Sequence, residues 1–308
     1  MHMSIELRHL RYFLAVAEER HITRAAERLG IQQPPLSLQI KALEKELGVQ
    51  LFRRVPRGVE LTTAGAALLE NARTIMDQLD RAVATTRRTA RGEQGRLVIG
   101  FTSSTPFHPF VPRMIRTFRE MSPLVSLVLE ESVSSELVQG LRTEQIDAAF
   151  IRSPVADING LTIRPLLSEA MIAALPANHP LATEPAAATR PLRLKQLAGE
   201  NFVLYKRPGA PGFYDAIITA CRGAGFSPLV GQEAPRVLST LNLVAAGLGV
   251  SIVPESLDRL KMDGVVYRPL AKDPPLVAPL ILACRSGENS AAVQRFIDLV
   301  QHSVLAER

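Results

Sequence analysis

The sequence has very few of the residues that build disulfide frameworks or metal clusters. Among its 308 residues there are two cysteines, Cys221 and Cys284, and no tryptophan. Two cysteines so far apart exclude a disulfide framework and suit a reducing compartment. No stretch approaches the roughly 20 apolar residues of a membrane span, and no export signal is recognisable. We therefore expect a cytoplasmic protein of two or three domains that has no membrane partner and no metal site.

Common catalytic motifs are also missing. The chain has no Gly-x-Ser-x-Gly, no phosphate-binding P-loop and no His-Glu-x-x-His, and its six histidines are dispersed. Both cysteines fall on predicted core elements, where a free thiol is usually structural. The sequence thus predicts neither an enzyme nor a cofactor. A cytosolic ligand-binding protein or an enzyme on a two-lobed α/β scaffold is the alternative.

Positive charge is concentrated near the N-terminus. The net charge is +6, and residues 1–96 carry 16 Lys and Arg against 11 Asp and Glu, whereas the remainder carries 20 against 19. Such asymmetry favours an N-terminal nucleic-acid-binding module joined to a nearly neutral body. A basic, solvated face without a partner would give the same asymmetry.

Residues 1–62 have the pattern of a winged helix-turn-helix. Apolar residues recur at helical spacing over 7–17, a second helix is predicted to open at Thr23, which would cap it, and a third helix begins at Pro34. The second of two short helices joined by a tight turn typically enters the major groove of DNA. Residues 49–52 and 59–61 predict the two strands of the wing. The turn between them contains Arg53, Arg54 and Arg57.

Residues 63–91 predict one long linker helix. Its apolar seam follows steps of four and three residues through Leu68, Ala72, Ile75, Leu79, Ala82 and Thr86. A second copy of the chain is the simplest partner for this seam, and packing against the chain's own body is the alternative. Residues 92–95 then form a hinge.

Residues 96–308 alternate between strand and helix patterns, which predicts parallel sheets with helices on their faces. We expect lobe I over about 96–167 and 269–308, and lobe II over about 168–268. The predicted strands are 96–101, 125–130, 147–151, 171–175, 202–205, 249–253 and one within 269–285; the predicted helices are 111–121, 135–142, 214–223, 238–246 and 291–305. A ligand would bind in the cleft between the lobes, where strands end and helices begin.

Several segments in combination resemble LysR-type transcriptional regulators. They are 7–18, 23–29, 33–37, 43–54, 61–65, 179–181 and 243–254. The resemblance covers essentially the whole chain. It implies a winged helix-turn-helix, a dimerising linker helix and a two-lobed, periplasmic-binding-protein-like α/β effector domain. It also implies binding to double-stranded DNA as a dimer or tetramer and control by a small organic effector, with RNA polymerase as a further candidate partner.

The predicted DNA contacts fall on the second and third helices and on the wing. For base reading the candidates are Gln32, Gln33, Pro34, Ser37 and Lys41, because Gln33, for example, can pair with adenine. For the phosphate backbone they are Thr23, Arg24, Arg53, Arg54 and Arg57. Alternatively, Gln33 caps its helix and Ser37 bonds its own backbone.

One candidate contact departs from the family pattern. Leu38 stands where the family usually carries arginine. Leucine can contact a thymine methyl group but binds neither guanine nor phosphate. We therefore expect the wing arginines to supply more of the attraction to DNA than they do in the relatives.

Within the family, the sequence most resembles regulators of aromatic-compound breakdown that sense muconate-like acids. The predicted effector contacts are Thr102, Ser103, Ser104, Thr105, Ser134, Arg152, Pro211 and Phe213. The hydroxyl-rich loop before a predicted helix N-terminus would cradle an anion, and the resemblance implies that Ser104 and Ser134 contact the effector. Alternatively, both serines are only helix caps and Arg152 forms a surface ion pair. His108 is expected to be a solvated loop residue, and a hydrogen bond from it to the ligand is the alternative.

Overall fold

The structure is a computed structural model that describes residues 5–152, 157–183, 190–207, 211–271 and 275–306. The chain divides into two compact units, Met1–Arg88 and Thr89–Arg308. Among the helices of the described ranges, none combines the length and apolar character needed to cross a bilayer.

The first unit is a winged helix-turn-helix followed by a long helix. Its elements are α1 (Leu7–Glu19), α2 (Ile22–Leu29), α3 (Gln33–Leu47), β1 (Phe52–Val55), β2 (Gly58–Leu61) and α4 (Thr63–Ala90). Phe13, Leu36 and Leu43 form the centre of its core. The wing is fixed to the end of α1, because the Val59 amide donates to the Arg20 carbonyl at 2.9 Å. Gly58 permits this approach, since a Cβ there would lie 2.1 Å from the same oxygen.

Two boundaries in this unit differ from the sequence prediction. Helix α2 begins at Ile22, and its N-cap residue is His21, so the prediction that Thr23 caps the helix is wrong. The first wing strand begins at Phe52 rather than at residue 49. The cause is local, because Glu44 Oε1 accepts hydrogen bonds from the amides of Leu51 (2.8 Å) and Phe52 (3.2 Å). Arg53 and Arg54 therefore lie on strand β1 rather than in the turn.

Helix α4 has two differently packed parts. It contains 28 residues, which makes it about 42 Å long. Near its start, Leu68 and Ala72 pack into the core of the first unit, as the alternative of packing against the chain's own body predicted. Further along, Ile75 of the seam is 40% exposed, and Val83, which follows the seam residue Ala82, is 41% exposed. Only the later part of the seam is thus available to another molecule.

The second unit is built around a seven-stranded mixed sheet. Its elements are β3 (Gln94–Phe101), α5 (Phe110–Met121), β4 (Leu124–Glu131), α6 (Ser134–Arg142), β5 (Ala148–Ile151), β6 (Leu161–Pro176), α7 (Pro180–Thr183), β7 (Asn201–Tyr205), α8 (Pro211–Gly223), β8 (Leu229–Ala234), α9 (Val237–Ala245), β9 (Ser251–Pro254), β10 (Val265–Pro269), β11 (Val277–Arg285) and α10 (Ala291–Leu305). Strand β3 pairs in parallel with β4 and β5, and β11 lies antiparallel between β5 and β6. Cys221 and Cys284 are both buried here.

Strand β6 joins the two lobes. Its first part pairs with β11, and its second part pairs with β9 and β10. The strand predicted at 171–175 is therefore only the end of a longer one. The strand predicted within 269–285 is β11, and the last residue of β10, Pro269, also falls in that region. Strand β8, which pairs in parallel with β7, was not predicted. Separate hydrophobic cores form around Phe118, Phe150 and Phe296 in one lobe and around Phe202 and Leu241 in the other.

Candidate functional site

An open groove of about 450 Å³ lies between helix α3 and the wing. Seven of the predicted DNA contacts line it: Gln33, Pro34, Ser37, Leu38, Lys41, Arg53 and Arg54. The other four, Thr23, Arg24, Gln32 and Arg57, are exposed but do not line it. The groove thus combines polar side chains of α3 with the basic side chains of the wing.

The basic side chains around the wing differ in how they are paired. Arg53 donates to Glu60 at 2.7 Å across the two strands, and both side chains are largely exposed, so the pair contributes little stability. Arg54 and Arg57 form no ion pair within the described ranges. Arg24 donates to the Glu19 carbonyl at 2.8 Å, at the end of α1. Arg54 and Arg57 are therefore the wing arginines with the fewest competing partners.

Two polar side chains at the start of α3 form a hydrogen bond with each other. Gln33 Nε2 donates to Ser37 Oγ at 2.8 Å, one helical turn later. The N-cap of α3 is Gln32, which makes no side-chain capping bond. The alternatives in which Gln33 caps the helix and Ser37 bonds its own backbone are thus not found. Leu38 lies beside them in the groove, 66% exposed.

A small cavity of about 40 Å³ lies between the two lobes of the second unit. It is lined by Thr102, Ser103, Ser104, Ser132, Val133, Ser134, Arg152, Tyr205, Phe213 and Pro235. Six predicted effector contacts are among these residues. Thr105 is not, because it is buried with its hydroxyl donating to the Thr102 carbonyl at 2.9 Å. Pro211 begins α8, and its side chain lies outside the described residues.

Sequence reasoning missed four residues of this lining: Ser132, Val133, Tyr205 and Pro235. A signal existed for Tyr205, because it ends strand β7, and ligands in α/β folds bind at strand ends. For Pro235 there was no signal, since strand β8 before it was not predicted.

The helix that faces the cavity is not the one expected. Ser104 is followed by a single 3₁₀ turn, Thr105–Phe107, and helix α5 begins at Phe110, within one residue of the predicted start, but no residue of α5 is part of the cavity lining. Pro109, which has no backbone N–H, separates the two segments. Helix α6 lines the cavity instead, through its N-cap Val133 and its first residue, Ser134. Neither serine makes a side-chain capping bond, which disfavours a role only as caps.

Arg152 belongs to a buried network rather than to a surface ion pair. It pairs with Glu169, and their side chains are 2% and 8% exposed. Glu169 also accepts a hydrogen bond from the Ser256 amide at 2.7 Å. Burial lowers the pKa of Arg152, and the nearby Glu169 carboxylate opposes that shift. The surface-pair alternative is therefore wrong.

Three buried polar atoms on the cavity residues lack hydrogen-bond partners among the described residues. They are Thr102 Oγ1, Arg152 Nε and the Tyr205 hydroxyl. Leaving such an atom unsatisfied costs roughly 1–3 kcal/mol. Burial raises the pKa of Tyr205 far above its ordinary value, so the hydroxyl stays protonated at neutral pH. The residues therefore present hydrogen-bond donors, and no Asp or Glu is part of this lining.

His108 lies close to this network. It is half-buried, and its Nδ1 accepts a hydrogen bond from the Phe110 amide at 3.3 Å. Burial lowers the pKa of its imidazole. His108 thus lies in a loop, as expected, but it is only partly solvated.

Comparisons with known proteins agree with this architecture. The family model of the LysR substrate binding domain matches residues 90–304, and that of the bacterial regulatory helix-turn-helix protein, lysR family, matches residues 7–66. The chain is 38% identical to the HTH-type transcriptional regulator BudR of Raoultella terrigena, over 96% of this chain and 100% of the relative. With the HTH-type transcriptional regulator CatR of Pseudomonas putida it is 39% identical, over 96% and 98%. Full-length CbnR, solved in complex with its target DNA, superposes with a TM-score of 0.84 at 29% identity, covering 97% of this chain and 100% of that one.

Proposed function

The chain belongs to the LysR family of DNA-binding transcriptional regulators, which are not enzymes, and we propose that a small anionic effector in the inter-lobe cavity controls it. The residues that line this cavity support the proposal. The lining combines the buried Arg152, Ser104 and the N-terminus of α6, and it contains no acidic residue. Hydrogen-bond donors and a helix N-terminus together favour an anion, and a carboxylate in particular.

We further propose that operator DNA binds at the groove between α3 and the wing. Gln33, Ser37 and Lys41 would reach base edges, while Arg53 and Arg54 would contact phosphates. All five side chains line one open groove, and all but the half-buried Ser37 are exposed, which supports this assignment. Arg57 and Thr23 would make flanking backbone contacts.

The later part of α4 is proposed to pair with a second copy of the chain. Its uncovered apolar residues, Ile75 and Val83 among them, support this assignment. The domain division proposed with it is a DNA-binding domain over 1–62, a linker helix over 63–91, a hinge over 92–95 and an effector domain over 96–308. Sedimentation velocity tests the pairing, because Ile75→Lys should shift the protein towards monomers. An unchanged sedimentation coefficient would rule out pairing through this seam.

The finer assignment, to the branch that senses aromatic-breakdown products, rests on the resemblance of the sequence to that branch. The chain is 39% identical to CatR and 38% identical to BudR, so the identity to these relatives does not choose a branch, and ligand binding must test it. A thermal-shift screen of aromatic acids and their ring-cleavage products does this, because a ligand that binds only the folded state raises the melting temperature.

The control for this screen is a pair of serine variants. Ser104→Ala should reduce the shift caused by any carboxylate that binds, since Ser104 lines the cavity. Ser135→Ala should not, because Ser135 is exposed and absent from the lining. Stabilisation by uncharged compounds alone would refute the anion assignment.

A further inference from the structure

We propose that Tyr205 selects effectors that carry an oxygen on the carbon next to the carboxylate, as 2-hydroxy and 2-oxo acids do. This inference rests on the proposed function, because it assumes that a carboxylate occupies the cavity between the lobes. It adds a second recognition point, supplied by the opposite lobe, and a chemical class of ligand.

The unsatisfied polar atoms come from both sides of the cavity. Thr102 and Arg152 follow two adjacent parallel strands, β3 and β5, in which Phe101 is paired with Phe150. The Thr102 amide donates to the Phe150 carbonyl at 3.2 Å, which holds the ends of these strands together. Tyr205 ends strand β7 in the other lobe. A ligand that contacts all three residues would therefore bridge the lobes.

Arg152 and Tyr205 are close enough to influence each other electrostatically. Arg152 already uses its other guanidinium nitrogens on Glu169 and on the carbonyls of Ala278 and Pro279. Its Nε–H is the donor left over. A carboxylate held by Ser104 and the start of α6 leaves this donor and the Tyr205 hydroxyl for a further acceptor atom. Both groups can donate, so the complementary ligand atom is a hydroxyl or carbonyl oxygen.

The size of the cavity places that oxygen near the carboxylate. Since one water needs roughly 10–15 Å³ of such space, a cavity of about 40 Å³ accommodates about three water-sized groups. A carboxylate and an oxygen on the neighbouring carbon form a compact unit of this scale. An apolar acid of the same length would leave the Tyr205 hydroxyl and Arg152 Nε unsatisfied, which is why discrimination is expected.

The test is isothermal titration calorimetry of the full chain with two matched series. One series is propionate, lactate and pyruvate; the other is glutarate, 2-hydroxyglutarate and 2-oxoglutarate. In at least one series the oxygenated acids should bind about tenfold more tightly than the parent acid, as expected for one or two well-placed hydrogen bonds. In Tyr205→Phe that ratio should fall to about two, because the substitution removes one of the two donors.

The matched control is Tyr267→Phe. Tyr267 also has a buried hydroxyl without a partner among the described residues, but it does not line the cavity, so its removal should leave the ratio as in the wild type. Tyr205→Phe retains the aromatic ring, whose centroid lies 5.6 Å from that of Phe213. If the variant does not fold, the ratio of affinities for oxygenated and parent acids in the wild type still decides the question.

The outcomes separate this inference from the proposed function. Equal binding of parent and oxygenated acids by the wild type would overturn the role of Tyr205 and leave the carboxylate cavity standing. If none of the six acids binds but other carboxylates in the thermal-shift screen do, the ligand class is refuted and the cavity assignment stands. Failure of every carboxylate in both assays would overturn the proposed function as well.

Discussion

The groove on the first unit and the cavity in the second unit hold their polar side chains in opposite ways. In the groove, Lys41, Arg53 and Arg54 are exposed. In the cavity, Arg152 and Tyr205 are almost completely buried. Water and salt screen the charges in the groove, whereas they screen the buried groups of the cavity much less. A groove of this kind can attract a long polyanion through many weak contacts, while the cavity can distinguish one small anion through a few strong ones.

Substitutions at the two sites should also differ in whether they affect binding or folding. Removing a solvated arginine leaves no group unsatisfied, so changes in the groove should alter DNA binding with little effect on folding. Removing one member of the Arg152–Glu169 pair leaves a buried charge without its partner, so changes there should affect folding first.

Breaking the buried pair tests this difference most strongly. In Glu169→Ala, Arg152 loses its counterion and the Ser256 amide loses its acceptor. Breaking such a pair costs about 3–5 kcal/mol, which in a unit of this size lowers the melting temperature by about 6–20 °C. The measurement is thermal unfolding of the full chain followed by circular dichroism.

The control for this experiment is an exposed pair of the same unit. Asp215 pairs with Arg207 at 2.8 Å, with side chains 50% and 63% exposed. Asp215→Ala should shift the melting temperature by no more than about 4 °C, because exposed pairs contribute at most about 1 kcal/mol. Similar shifts in the two variants would remove the distinction between buried and solvated charges.

The two sites also differ in how far the sequence could reveal them. Residues of the groove lie within one continuous segment, and helical spacing with clustered arginines places them on a single surface. The error at the wing arose from Glu44, whose carboxylate bonds to the backbone seven and eight residues later. Such a side-chain bond leaves no periodic signal in the sequence.

The cavity depends on contacts between segments that are far apart in the chain. Arg152 follows a predicted strand, and its position at the cleft could be inferred. Its partner Glu169 lies on β6, whose first part was not predicted to be a strand. The burial of this pair therefore could not be derived from local pattern, and neither could the alignment of Tyr205 with Thr102.

On the groove side, the largest effect is expected from Arg54→Ala. An arginine that contacts a DNA phosphate releases a counterion when the protein binds. Its loss should therefore reduce the magnitude of the slope of log K against log salt concentration by about 0.9 for each bound copy of the chain. Affinity for a labelled duplex should fall about fivefold to tenfold, measured by fluorescence anisotropy over a salt series. Arg28→Ala is the control, since Arg28 is paired with Glu18 at 2.7 Å and lies outside the groove. Equal losses in the two variants would show that only net charge matters.

Adding a charge to the groove should have a smaller effect in the opposite direction. Leu38→Arg places a guanidinium at a position that is 66% exposed and lines the groove. Affinity for duplex DNA should rise about threefold, and the salt slope should steepen by up to about 0.9 per copy. The gain is smaller because an unsupported arginine must lose side-chain entropy to make the contact. Leu38→Gln, polar but uncharged, should leave the slope unchanged. An unchanged slope in Leu38→Arg would place residue 38 away from DNA.

The smallest effect concerns pH and belongs to the cavity region. Burial lowers the pKa of His108 below its ordinary 6.5, three nearby arginines add to this shift and Glu169 opposes it. Below pH 6.5 the unfolded chain therefore binds more protons at this residue than the folded chain does, so its contribution to stability is complete above that pH and is lost as the pH falls. As the pH is lowered from neutral to mildly acidic, the melting temperature of His108→Gln should consequently fall less than that of the wild type. His302→Gln, at an exposed position on α10, should follow the wild type. If His108→Gln follows it too, the buried histidine is not what makes this lobe sensitive to acid.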